Sequence, residues 1–189
     1  WDVFSDGKAW YLRNDMTWFA APAYAGIPVT LRHSSTSFTV VTGHEDPSAG
    51  EGSVDWSAVA KVGGTIVILM GMARIQAITG SLIEGGRSPE TPAAAVQWGT
   101  RPTQHTVRAT LGTLPAAVAD AGLGSPATIV VGDVAAEDLA WFESKPLFGI
   151  DVVVTRPADQ AHELIAALTL QGAGTVELPV IEIVEPADG

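Results

Sequence analysis

The stretch Thr65-Ile-Val-Ile-Leu-Met70, closed by Gly71 and followed by Ile75, Ile78 and Leu82, decides the fold class. Six residues without a charge and rich in β-branched side chains read as a strand buried on both faces. The apolar residues after it fall three and four apart, marking one helix face, and Gly85-Gly86 supply a left-handed stop. A doubly buried strand running into an amphipathic helix is the pattern of an α/β domain.

Neighbouring segments repeat the pattern. Ser37-Phe-Thr-Val-Val-Thr42, ended by Gly43, reads as a strand, as do Ala93–Trp98, ended by Gly99, and Ala127-Thr-Ile-Val-Val131. Val107, Ala109 and Leu111 alternate with Thr106, Arg108 and Thr110, as in a half-exposed strand. Thr113 is expected to cap a short helix carrying Leu114, Val118 and Ala121, and Asp133 a helix reaching about Trp141. The expectation is a mixed sheet with helices. Residues 143–150, with Pro146 and Gly149, read as a linker. Beyond it, Asp151–Thr155, a helix face of Ala161, Leu164, Ile165 and Leu168, and the extended Val176–Val184 form one β-α-β unit. Residues 151–189 are too few to close a core, so they are expected to open a second, truncated domain. Residues 1–19 are crowded with aromatics and show no clean period.

Composition bounds the function. Hydrophobic residues make up 47% and charged ones 16%, which excludes disorder. No apolar run approaches the ~18–20 residues of a membrane span, so no membrane partner is expected. Ten Lys and Arg against 21 Asp and Glu give a net charge of −11, which argues against nucleic acid as a partner. The absence of cysteine excludes disulfides and thiolate chemistry and suits a reducing cytoplasm.

Spacing alone yields no catalytic constellation and no metal site. The four histidines lack an HExxH arrangement, and His44-Glu45-Asp46 reads as a loop. No nucleophile elbow, P-loop or GxGxxG fingerprint occurs. What stands out is Gly43, Gly71 and Gly99, each at the end of an apolar strand, beside Met70 and Trp98. Ligands of open α/β sheets bind outside the carboxyl ends of strands, so these positions point to a flat, partly apolar ligand. Arg32, Arg74, Arg101 and Arg108 are candidate contacts for an anionic substrate.

Ala20-Ala-Pro-Ala-Tyr-Ala-Gly-Ile-Pro-Val-Thr30 and then Ser37-Phe-Thr-Val-Val-Thr-Gly-His-Glu-Asp46 resemble the tetrapyrrole methylases of the uroporphyrinogen-III C-methyltransferase kind. Met70-Gly71, Trp98-Gly-Thr100 and Gln104-His-Thr-Val-Arg108 continue the resemblance in the same order, over residues 20–142. Trp141-Phe142 followed by Asp151-Val-Val-Val-Thr-Arg-Pro157 resembles the junction to a uroporphyrinogen-III synthase domain. The resemblance implies a tetrapyrrole-methylase C-terminal domain that takes S-adenosylmethionine (SAM) as cofactor and uroporphyrinogen III as substrate. The implied reaction methylates two pyrrole carbons to give precorrin-2, on the way to sirohaem and cobalamin. It further implies that Met70 and Gly99 contact SAM, that Arg32 meets substrate carboxylates and that the protein is a homodimer. Another tetrapyrrole methylase, diphthine synthase, or a non-catalytic dimerising remnant are the alternatives. The family's glycine-rich N-terminal half has no counterpart here, and Leu31 stands where the family usually has His. No catalytic residue is therefore carried over, and the chain alone is expected to be inactive.

Overall fold

The computed structural model describes residues 3–5, 10–12, 17–43 and 54–181. The elements in chain order are β1 (Val3–Ser5), β2 (Trp10–Leu12), α1 (Thr17–Tyr24), β3 (Phe38–Thr42), α2 (Trp56–Lys61), β4 (Thr65–Leu69), α3 (Ile75–Glu84), β5 (Pro92–Gln97), β6 (His105–Thr110), α4 (Leu114–Asp120), β7 (Ala127–Val131), β8 (Asp151–Val154), α5 (Ala158–Leu170) and β9 (Gly174–Glu177). Two units are distinguished: residues 1–100 with 104–140, and residues 101–103 with 141–189.

In the first unit a five-stranded sheet has the order β3-β4-β7-β5-β6, and β1 pairs antiparallel with β2. β3 runs parallel to β4, while β7 is antiparallel to both β4 and β5, and β6 is antiparallel to β5. The sheet is mixed, as expected. β3, β4 and β5 point one way, and β6 and β7 the other.

The pleat sends Ile66, Ile68, Ala93, Ala95, Ile129 and Val131 to one face, where Ala60 of α2, Ile78 and Leu82 of α3, and Leu114 and Val118 of α4 cover them. Ala94, Val96 and Val130 face the other way, against Ala21, Ala25, Ile27, Val134 and Ala135. β5 carries three consecutive alanines without exposure, small enough to let both layers close on it. Apolar side chains on both faces of β4, β5 and β7 account for their unbroken apolar runs.

Two expected caps are absent. The Thr113 hydroxyl accepts the Thr110 N–H at 3.1 Å, so it caps nothing in α4 and Pro115 opens that helix instead. After β7, Gly132 at φ 139° leads into a 3-10 turn over Asp133–Ala136, not a helix to Trp141. The chain is then drawn out because Leu139 N–H donates to the Gly26 carbonyl at 3.1 Å. A Cβ on Gly26 (φ 72°) would lie 2.6 Å from the Ala140 nitrogen, so only glycine admits this approach.

The second unit pairs β8 with β9 in parallel, packed on one side by α5. Of the expected helix face only Ala161 is buried, and Leu164 is exposed. Lys145 Nζ donates to the Leu170 carbonyl at 2.9 Å, where a cation suits the carboxyl end of α5, and lies over the rings of Trp141 and Phe142. The segment expected to be a linker is thus a series of turns tied to this unit.

Candidate functional site

Because β3, β4 and β5 are co-directional, Gly43, Met70-Gly71 and Trp98-Gly99 lie at one edge of the sheet. The register makes this quantitative. Leu69 and Val96 both stand opposite Thr128 of β7, so Met70, just past β4, is level with Gln97, the last residue of β5. Two inter-strand spacings separate them, about 10 Å.

The backbone at this edge is unusual. Met70 has φ 53°, Trp98 φ 51° and Thr100 φ 73°, three of the five non-glycine residues with positive φ among the described residues. Such conformations cost roughly 1–3 kcal/mol each and collect at ligand sites, where the surrounding structure imposes them. Both large side chains stay open: Met70 is 51% exposed and Trp98 39%. A thioether and an indole presented at one sheet edge suit a flat, weakly polar ligand.

The strand-end glycines at this edge have a different physical reason. A Cβ on Gly43 would lie 2.7 Å from the Gly71 Cα and 2.8 Å from Ile78 Cδ1. On Gly71 it would meet Ile68 Cγ2 at 2.9 Å, and on Gly99 the Cβ of Ala21 at 2.5 Å. The space that a missing Cβ leaves is therefore filled by the protein, which brings α3 and α1 against the sheet.

The arginines are not gathered. Arg32 sits in the tight turn Leu31–Ser35, closed by Leu31 N–H to the Ser35 carbonyl at 2.9 Å. The Ser35 hydroxyl is 2.9 Å from Thr65 Oγ1, at the start of β4. Five residues of strand, about 17 Å, divide that end from Met70. Met70 and Gly99 thus lie towards one end of the sheet, on strands separated by β7, and the Arg32 turn lies towards the other. Arg108 donates to the Ala25 carbonyl at 2.6 Å and to Asp138 at 3.2 Å, so its guanidinium is engaged within the fold. Arg74 closes the 3-10 turn that follows Met70, three residues after Gly71, and Arg101 follows Gly99 by two. His44, Glu45 and Asp46 lie outside the described residues. Among the described residues no cluster of three or more His, Asp or Glu is placed to hold a metal, and no helix is long and apolar enough to cross a membrane.

The family profile of the Tetrapyrrole (Corrin/Porphyrin) Methylases matches residues 17–115, a span that contains this whole edge. The chain belongs to the tetrapyrrole methylases. The match opens at Thr17, where α1 begins. Among curated relatives, the porphyrin biosynthesis protein HemD of Ruminiclostridium josui is 40% identical over 167 residues, 87% of this chain and 33% of that protein. The uroporphyrinogen-III C-methyltransferase of Bacillus subtilis is 37% identical over 161 residues, 85% of this chain and 33% of that one. The chain thus spans about a third of the length of these relatives. A solved uroporphyrin-III C-methyl transferase from Thermus thermophilus, complexed with S-adenyl homocysteine, superposes with a TM-score of 0.53 at 28% identity, over 64% of this chain and 48% of that one. The mixed-sheet α/β architecture is therefore that of tetrapyrrole methylases.

Proposed function

We propose that the chain is part of a SAM-dependent uroporphyrinogen-III C-methyltransferase, with Met70 and the backbone of Gly99 as cofactor contacts. The observation that carries this reading is the pair of exposed, left-handed residues, Met70 and Trp98, that follow β4 and β5 at the carboxyl edge of the sheet. The Thermus relative's complex with S-adenyl homocysteine supports the choice of cofactor. Bound SAM supplies a methyl group already activated by its sulfonium, for which electron-rich pyrrole carbons are the acceptors. The chain's residues have to orient two reactants and keep water from them, and rigid, apolar positions at a sheet edge serve that end. Arg32, at the other end of the sheet, enters the proposal only as a contact for an outlying carboxylate of uroporphyrinogen III. The product is precorrin-2, which serves sirohaem and cobalamin synthesis.

Residues 151–189 are proposed to open a uroporphyrinogen-III synthase domain, preceded by the turns of residues 143–150. Two observations support this. Residues 1–142 make up 142 of 189, or about 75% of the chain, whereas the HemD match covers 87%. Parallel sheets are ordinarily covered on both faces, yet Val153 and Val176, partners in register, are 54% and 53% exposed.

A homodimer is proposed as well, supported by the exposed Phe19, Phe38 and Val40 beside Trp18, which stacks on Phe38 at 5.3 Å. A cytoplasmic setting fits the lack of cysteine. The deciding experiment is calorimetric titration of the chain with S-adenosylhomocysteine, with binding expected; no binding leaves only a folded, dimerising remnant. Incubation with SAM and uroporphyrinogen III is expected to give no precorrin-2, because the chain holds only part of the machinery.

A further inference from the structure

Gln104 is polar and buried, 6% exposed, and its Oε1 accepts the Thr100 N–H at 2.9 Å. That bond closes the loop Thr100–Gln104 and holds Thr100, which with Trp98 is left-handed on either side of Gly99. Ala21 of α1 blocks the other side of the turn, 2.5 Å from where a Gly99 Cβ would stand. Trp98 is further tied to the sheet, its N–H donating to the Pro126 carbonyl at 3.3 Å. A bulky residue such as Trp does not take φ 51° unaided.

We infer that Gln104 is a positioning residue: it locks the Trp98–Thr100 turn in its left-handed form and so fixes where the Trp98 indole and the Gly99 backbone meet the ligand. This rests on the SAM-binding reading of the same edge and goes beyond it by assigning a residue that touches no ligand. The chemistry is specific. The acceptor oxygen engages the part-buried Thr100 N–H and so holds that residue at φ 73° against its own preference. Glutamate retains that oxygen, leucine keeps the approximate volume and loses it, and glycine at position 100 takes positive φ without help.

The test is S-adenosylhomocysteine titration of the whole chain and three variants, with melting temperature and amide hydrogen exchange across residues 97–104 measured alongside. Gln104→Leu is expected to weaken binding at least tenfold and to speed exchange at the Thr100 amide. Gln104→Glu is expected to stay within about threefold of the parent. Adding Thr100→Gly to Gln104→Leu is expected to restore most of the lost affinity, which a mere packing role for Gln104 would not allow. A folded Gln104→Leu that binds within twofold of the parent overturns the inference and leaves the functional reading intact. If Gln104→Leu does not fold, the double variant decides: parent-like affinity supports the inference, while a double variant that binds poorly or is also unfolded overturns it. A parent chain that binds nothing overturns the functional reading and this inference together.

Discussion

Met70 and Trp98 hold the same disfavoured backbone conformation on two co-directional strands. Strain of this kind exchanges stability for a presented side chain. Met70→Gly is therefore expected to raise stability towards unfolding by up to about 1 kcal/mol, the relieved strain less the entropy that glycine adds. The same variant should bind S-adenosylhomocysteine at least tenfold more weakly; urea titration and calorimetry on one preparation check both. Gly99 makes the opposite demand. Its φ is ordinary, so Gly99→Ala meets only the Ala21 contact, and overpacking there should cost about 1–3 kcal/mol in urea unfolding.

At the scale of elements, Arg108 on β6 fastens the end of α1 through the Ala25 carbonyl and reaches Asp138 in the drawn-out segment after β7. Arg108→Met should lower stability by about 1.5–3 kcal/mol, since it removes a charged donor from a half-buried carbonyl. Asp138→Asn should cost less than about 1 kcal/mol, because the carboxylate is exposed. Urea unfolding of both variants measures the difference. These elements also show how far the sequence can be read. β4, β5 and β7 are legible because burial on both faces leaves an unbroken apolar run, and α3 because its buried Ile78 and Leu82 keep helical spacing. Asp133 is not legible: its cap signal is overruled by a hydrogen bond to Gly26, more than a hundred residues away. The glycines do lie at the edge that carries Met70 and Trp98, yet they reflect helix packing. Left-handed Met70, Trp98 and Thr100 carry no signature in residue type, so the strained turn and the part played by Gln104 emerge only from the backbone.

At the scale of the molecule, the uncovered apolar surface of the second unit sets its behaviour. Val153, Val176, Leu178, Val180 and Ile181 are all exposed. Replacing Val153 and Val176 together by Thr should at least halve the binding of an apolar fluorescent dye and leave S-adenosylhomocysteine affinity unchanged, since both residues lie outside the first unit. A dye signal that does not fall would mean that this surface is already covered in solution. The alanine triplet of β5 bears on a different property. With neighbours closing on both faces of Ala93, Ala94 and Ala95, that strand has no room for larger side chains, so adaptation of this protein to hotter habitats cannot proceed by filling its middle. Selection for heat tolerance would have to act at the periphery, on loop lengths and surface charges, while the centre of the sheet stays frozen in composition.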